Sequence, residues 1–160
     1  MNNFFEQNGA TFSDCRKYRY ALWRIWDKDK PLVMFIGLNP STANEASNDP
    51  TITRVVKFAN GWGYGGVYMM NLFALVSPYP EDLKKSDNPL GDNNGWLENI
   101  SSKCKDVVFA WGNFKEAQNR AQEVIKMFPF AKALQINKNG TPKHPLYCKS
   151  DLQLLNYYQQ

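Results

Sequence analysis

The sequence is poor in the residues that bind metals or cross-link a chain. It contains one histidine and three cysteines, Cys15, Cys104 and Cys148, and it has no C-x-x-C pair. An odd number of widely spaced cysteines with a lone histidine argues against both a disulfide framework and a structural zinc site. We therefore expect no metal and no cofactor, and the composition suits a reducing cytoplasm.

Long apolar runs and the common catalytic signatures are also absent. No stretch approaches the roughly 20 apolar residues that span a bilayer, so no contact with a membrane is expected. The N-terminus lacks the basic and apolar regions of a signal peptide. The absence of a G-x-S-x-G elbow, a Walker loop and a G-x-G-x-x-G motif argues against the enzyme classes that use them. The net charge of +4 permits binding to phosphate groups but does not require it.

What the sequence does contain is the pattern of one α/β domain. Its 160 residues, 43% of them hydrophobic, suffice for a single core. We predict this domain over residues 17–160, preceded by a loosely held arm over residues 1–16 that shows no hydrophobic period. Strands are predicted at residues 18–26, 32–36, 67–72, 107–111 and 133–136, and helices after Asp49, at 92–103, at 114–128 and after Ser150. The first two strands are expected to form a hairpin, which places an antiparallel strand at the edge of a mixed, mostly parallel sheet.

The most informative segment is Met34-Phe-Ile-Gly-Leu-Asn-Pro-Ser41, where an apolar run stops abruptly. Such a run predicts a strand buried on both faces, and α/β folds bind ligands just beyond the carboxyl ends of their parallel strands. Asn39 stands at that place. Gly37 permits a ligand to approach the backbone closely, and Pro40 stiffens the exit of the chain. The alternative for Asn39 is a local role in capping the turn.

The other strand ends carry further amides and the single imidazole. Asn71 interrupts the second parallel strand, and His144 follows the fourth. Gly112 and Asn113 follow the third strand and are candidates for substrate binding. Carboxamides are poor bases but match planar donor and acceptor edges, so two of them with an imidazole suit a nucleobase better than peptide or ester hydrolysis. In the alternatives, Asn71 ties a neighbouring loop and His144 is an unimportant surface residue.

Two charged residues lie near the start of the first predicted helix. Asp49 precedes Pro50, which is the pattern of an N-cap, so capping is favoured over a role as a base. Arg54, one turn later, either reaches the rim of the same site or remains solvated. Both residues are candidates for the site, Asp49 as an aid to catalysis and Arg54 as a substrate-binding residue.

Five short motifs occur in a recognisable order. They are Arg19-Tyr-Ala-Leu-Trp, Gly37-Leu-Asn-Pro-Ser-Thr-Ala43, Asp49-Pro-Thr51, Asn71-Leu-Phe and Thr141-Pro-Lys-His-Pro-Leu-Tyr147. This order resembles the bacterial family called domain of unknown function 1643, and the resemblance covers residues 17–158. It implies no assigned activity.

More distantly, the same motifs are similar to those of the uracil-DNA glycosylase superfamily. Gly37-Leu38-Asn39-Pro40-Ser41 resembles the first motif of its mismatch-specific members, which implies that Asn39 positions the attacking water. Asn71 resembles the asparagine that pairs with the flipped base, and His144-Pro145 resembles the motif whose histidine stabilises the base anion. Residues 107–112 resemble the strand that precedes a glycine in those enzymes. The resemblance implies a three-layer α/β/α sandwich with a short, mostly parallel sheet.

The resemblance also implies a function, with some departures from the superfamily. The most active glycosylases have an aspartate where Asn39 stands, and Leu146-Tyr147 replaces a longer intercalating loop. The cysteines that hold iron–sulfur clusters in some members are missing. We expect a hydrolase that cleaves the N-glycosidic bond of a nucleobase in DNA or in a nucleotide. The alternative is a non-catalytic nucleic-acid or nucleotide binding module with the same pocket.

Overall fold

A seven-stranded mixed sheet with four helices makes up residues 7–157, the part of the chain that the computed structural model describes. The strands are β1 (Gln7–Phe12), β2 (Arg19–Ile25), β3 (Leu32–Gly37), β4 (Gly66–Asn71), β5 (Asp106–Phe109), β6 (Lys132–Ala133) and β7 (Leu155–Asn156). The helices are α1 (Pro50–Gly61), α2 (Asp82–Lys85), α3 (Asn94–Ser101) and α4 (Gln118–Met127). Single 3-10 turns lie at Lys115–Ala117 and Pro145–Tyr147. Within residues 7–157, no helix is both long and apolar enough to cross a bilayer.

The sheet is parallel in its middle and antiparallel at both sides. Its strand order is β1-β2-β4-β3-β5-β6-β7. The four strands β4, β3, β5 and β6 run parallel, whereas β1, β2 and β7 pair antiparallel with their neighbours. Because β3 and β4 are parallel and in register from Leu32 opposite Gly66 to Gly37 opposite Asn71, their carboxyl ends meet at one edge.

Alternate residues of β3 pack into two separate hydrophobic clusters. Met34 and Ile36 belong to a cluster that includes side chains of α3 and α4. Val33 and Phe35 belong to another, which includes the buried face of α1. All four side chains are fully buried, which confirms the prediction of a strand buried on both faces.

The expected hairpin between the first two predicted strands is wrong. β2 pairs with β1 and β4, and β4 lies between β2 and β3. The glycine at position 66 allows β4 to start between β2 and β3, because a Cβ there would lie 2.9 Å from both Ile25 Cγ1 and Leu32 Cδ2. β2 is therefore an interior strand, and β1 occupies that edge of the sheet.

Two terminal segments also differ from their predictions. Residues 7–12 of the predicted loose arm form β1, which pairs with β2 along its length, while residues 1–6 lie outside the described part. The helix predicted after Ser150 is not formed, and β7 pairs with β6 instead. Leu152 and Leu154, two residues apart, pack against the core, so the segment follows a strand-like rather than a helical period.

Candidate functional site

A cavity of about 320 Å³ opens where the carboxyl ends of β3 and β4 meet, and we call it the strand-end cavity. Its wall comes from six segments: the start of β2, the end of β3 with its following loop, the N-cap and first turn of α1, β4, the loop after β4, and the second 3-10 turn with the residue before it. The residues that line it are Arg19, Gly37, Leu38, Asn39, Ser41, Asp49, Thr51, Ile52, Met69, Asn71, Ser77, Pro78, Pro80, His144, Leu146 and Tyr147. Segments far apart in sequence thus share one small chamber of a size that suits a small-molecule ligand.

Most of the candidates from the sequence lie in this wall. They are Gly37, Leu38, Asn39, Ser41, Asp49, Asn71 and His144. Four candidates do not line it, namely Pro40, Arg54, Gly112 and Asn113. The two amides and the imidazole that suggested base recognition therefore reach the same chamber.

The four remaining candidates point to other places. Arg54 lines a neighbouring groove, where its Nη2 donates to the backbone oxygen of Cys148. The N–H of Gly112 donates to the oxygen of Pro142 at 2.9 Å, and Asn113 is exposed. Pro40 is buried, and its backbone oxygen accepts the N–H of Ser77 at 2.9 Å. Closeness to the predicted site along the sequence was thus insufficient to aim these residues into the cavity.

Asn39 is fixed in orientation by the loop that follows β4. Its Nδ2 donates to the backbone oxygens of Pro40, Leu75 and Ser77 at 3.1, 3.2 and 2.9 Å. The amide nitrogen is thereby committed, so the side chain offers the cavity its acceptor Oδ1. Asn39 thus braces the local backbone through its amide nitrogen, and it also lies in the wall of the cavity.

Asn71 presents the opposite case. The residue is only 4% exposed, and its Nδ2 has no hydrogen-bond partner among residues 7–157. Gly37 makes room for this amide, since a Cβ there would lie 2.9 Å from Asn71 Oδ1 and 2.7 Å from Met69 Cε. A buried donor without an acceptor is costly, so a ligand atom that accepted from Nδ2 of Asn71 would bind favourably.

The backbone beneath Asn71 is held by two buried polar side chains. Asn93 donates through Nδ2 to the backbone oxygens of Asn71 at 2.7 Å and Leu72 at 3.3 Å. Arg120 donates through Nε to the oxygen of Leu72 at 2.9 Å. These bonds fix the end of β4 where the strand ladder stops, and they position Asn71 rather than the ligand.

His144 is held as a neutral ring with a defined tautomer. Its Nδ1 accepts the N–H of Leu146 at 3.2 Å, so the proton of the neutral ring sits on Nε2. Burial lowers the pKa of His144 below its ordinary value, and the nearby Asp49 carboxylate opposes this effect only in part. The ring therefore offers an N–H donor near neutral pH.

Asp49 is the N-cap of α1, as the sequence predicts. Its Oδ1 accepts the N–H of Ile52 at 2.9 Å, and Pro50 occupies the first helical position. The same carboxylate lies in the cavity wall, and its charge acts on both Arg19 and His144. Capping and a place in the site thus coincide in one residue.

Arg19 is the principal lining residue that the sequence reasoning missed. It is 3% exposed and, within residues 7–157, makes one side-chain hydrogen bond, from Nη1 to the oxygen of Ala43 at 3.1 Å. The pKa of Arg19 is lowered to about 10, chiefly by burial and also by Arg24, while the charge of Asp49 opposes the lowering. A signal existed, because strand alternation places Arg19 on the same face as the apolar Ala21, Trp23 and Ile25, where a charge must be buried.

The chain is placed in a family by residues 19–146, which match the family model described as protein of unknown function (DUF1643). The chain belongs to this family. The DUF1643 match begins at Arg19 and ends at Leu146, so it takes in nearly the whole wall of the strand-end cavity. No curated protein and no solved structure matches the chain. In the described residues 7–157, no group of three or more His, Cys, Asp or Glu side chains is arranged to hold a metal ion.

Proposed function

We propose that this DUF1643 protein hydrolyses the N-glycosidic bond between a nucleobase and its sugar, in a nucleotide or in DNA. The observation that supports this is the meeting of Asn39, Asn71 and His144 in one cavity of about 320 Å³. Asn39 follows β3, Asn71 ends β4 and His144 precedes the second 3-10 turn, and each offers a different hydrogen-bonding atom. Such a set suits a planar ring with carbonyl oxygens, such as uracil.

Two donors in the wall recognise the base and stabilise it as it leaves. The orphan Nδ2 of Asn71 donates to a carbonyl oxygen of the base. The Nε2–H of neutral His144 donates to an oxygen where negative charge grows as the bond breaks. Because these donors are already oriented by the fold, they need little rearrangement when charge develops.

The water is held on the acceptor side of the site. Oδ1 of Asn39 accepts one water hydrogen, and the nearby Asp49 carboxylate accepts the proton. The water oxygen bonds to C1′ of the sugar as the bond from C1′ to the base nitrogen breaks. The electron pair of that bond leaves with the base, whose charge His144 and Asn71 stabilise.

A likeness to the uracil-DNA glycosylase superfamily supports the same assignment. In this view the helices on either side of β3 and β4 form the outer layers of a three-layer α/β/α sandwich. If duplex DNA is the substrate, extruding the base costs a few kcal/mol. Leu146 and Tyr147, 46% and 75% exposed at the cavity, are the side chains available to contact such a strand.

The second candidate is a binding module that keeps the pocket without turnover. It is favoured by the three carbonyl contacts of Asn39, which brace the loop after β4. It is favoured also by the capping contact of Asp49. On this view both residues are structural, and only Asn71 and His144 contact the ligand.

Release of free base distinguishes the two candidates. The purified protein is incubated with uracil- and damaged-base oligonucleotides, deoxyuridine and deoxyuridine monophosphate, and free base is measured by chromatography. Hydrolysis that is lost in His144→Gln and Asn71→Leu, and retained in the surface control Asn99→Ala, supports the enzyme. Binding without release supports the module, and neither binding nor release refutes both.

A further inference from the structure

We infer that the strand-end cavity takes a ligand that carries a phosphate group, a free nucleoside monophosphate, with Arg19 as the phosphate-binding residue. This inference rests on the proposed function for recognition of the base, and it adds a phosphate group to the ligand. It goes beyond base recognition because Arg19 has no part in that chemistry.

The guanidinium of Arg19 is a buried cation with spare donors. In residues 7–157 no carboxylate forms an ion pair with it, and its single side-chain hydrogen bond goes to the neutral oxygen of Ala43. Its Nε has no partner within the described chain. A buried charge is stable when it is paired, so this wall favours an anion.

Asp49 does not fill that role. Its charge favours the protonated Arg19, but its Oδ1 caps α1 rather than accepting from the guanidinium. The guanidinium has a planar fork of donors that matches a phosphate, and Arg19 lies in the wall of an open cavity. The missing partner is therefore supplied from the cavity side.

A second feature of the wall suits an anion. Thr51, at the second position of the twelve-residue helix α1, lines the cavity together with Arg19. The first N–H groups of a helix lack intrahelical acceptors and lie at the positive end of its dipole. Anions bind at such ends. The guanidinium of Arg19, with its Nε unpaired within residues 7–157, and the N-terminus of α1 thus both favour a negatively charged group.

The cavity size and the other donors fit a ligand with two ends. At about 320 Å³ the chamber falls within the range of pockets that enclose whole small molecules. Asn71 and His144 serve a base, whereas Arg19 and Thr51 serve a phosphate. A nucleoside monophosphate carries both groups on one sugar.

Calorimetric titration of the full chain with deoxyuridine monophosphate, deoxyuridine and inorganic phosphate tests the inference. The monophosphate is expected to bind about 10- to 100-fold more tightly than the nucleoside, since a hydrogen-bonded charge contributes on that scale. Arg19→Gln should remove this advantage, Arg19→Lys should restore part of it, and Arg16→Gln should leave it intact. Arg16 is the matched control because it carries the same charge in an exposed pair with Glu45, outside the cavity.

A competition experiment keeps the test valid if an Arg19 variant fails to fold. Inorganic phosphate added to the wild-type protein should weaken binding of the monophosphate and leave binding of deoxyuridine unchanged. Equal affinity for nucleoside and monophosphate, or competition against both, overturns the inference. Arg19-dependent binding of a uracil-containing single strand without binding of the monophosphate also overturns it.

Failure of the inference and failure of the proposed function give different results. If deoxyuridine and its monophosphate lose their base equally fast and Arg19→Gln changes neither rate, the hydrolase stands and the phosphate site does not. If the monophosphate binds through Arg19 and no base is released, the phosphate site stands and the hydrolase does not.

Discussion

Two buried arginines on β2 differ in how far the fold satisfies them. Arg24, 1% exposed, donates to Asn48 Oδ1 and to the backbone oxygens of Gly9, Trp23, Asn44 and Ser47. Arg19, 3% exposed, donates to one backbone oxygen. Arg24 fastens the loop between β3 and α1, whereas Arg19 lines the strand-end cavity with an Nε that has no partner within residues 7–157. Buried charge alone therefore does not mark a site, but buried charge with unused donors does.

The same contrast separates the two asparagines of the cavity. Asn39 uses its amide nitrogen on three carbonyls, whereas the amide nitrogen of Asn71 meets no acceptor within residues 7–157. The satisfied members, Arg24 and Asn39, hold loops in place. The unsatisfied members, Arg19 and Asn71, are available to a ligand. If this distinction is right, losing the donors of the first pair should chiefly lower stability, and losing the donors of the second pair should chiefly weaken binding.

The largest effect is expected from Arg24→Met. The substitution removes the donors of five hydrogen bonds and leaves partly buried carbonyls without partners. We expect the free energy of unfolding to fall by about 3 kcal/mol or more. Urea denaturation measures this change. A loss below about 1 kcal/mol would mean that water replaces the guanidinium and that Arg24 contributes no more to stability than Arg19 does.

Asn39→Ala should come second. It removes three bonds to the backbone of residues 40, 75 and 77, where the neutral donor contributes less than a charged one. We expect a loss of about 2 kcal/mol in the free energy of unfolding and faster amide exchange at Ser77. Asn39→Asp serves as the comparison, because it keeps the acceptor oxygens and loses the donors. Equal stability of both variants and the wild type would show that Asn39 does not brace this loop.

The sequence was informative where structure follows from neighbouring residues. The start of α1 was predictable because Asp49 and Pro50 specify a helix start locally, and β3 because its apolar run ends at Gly37. β1 was missed since its polar segment becomes a strand only by pairing with β2, which is a nonlocal choice. The insertion of β4 between β2 and β3 depends likewise on contacts across the sheet.

In the candidate site, too, some features follow from the local sequence and others depend on contacts between distant residues. Sequence order placed Asn39, Asn71 and His144 at strand ends, and the parallel sheet brings them to one cavity. Side-chain direction could not be predicted in the same way: Arg54 was expected either at this rim or in solvent, but its guanidinium donates to the oxygen of Cys148. Arg19 was overlooked, although the antiparallel orientation predicted for its strand already brings the start of that strand to the carboxyl edge of the parallel strands.

Arg19→Met should change stability little. Removal of a poorly paired buried charge relieves its desolvation cost, and this gain offsets the loss of the single bond to Ala43. We expect the free energy of unfolding to stay within about 1 kcal/mol of the wild-type value. Urea denaturation alongside Arg24→Met gives the comparison directly. A loss as large as that of Arg24→Met would erase the difference between the two arginines.

The smallest expected effect is the pH dependence that His144 imposes on stability. Because burial lowers the pKa of this ring in the folded state, the unfolded chain takes up the proton first as the pH falls through about 6.5. Below that pH the unfolded state binds more protons than the folded state, so the free energy of unfolding decreases, whereas above it His144 contributes no slope.

Urea denaturation between pH 7.5 and 5.5 measures this slope in the wild type and in His144→Gln. The chain has one histidine, so the difference between the two proteins isolates that ring. If the free energy of unfolding depends on pH in the same way in both proteins, His144 titrates in the folded chain as it does in the unfolded chain. The ring in the cavity would then be an imidazolium, rather than a neutral donor, below pH 6.5.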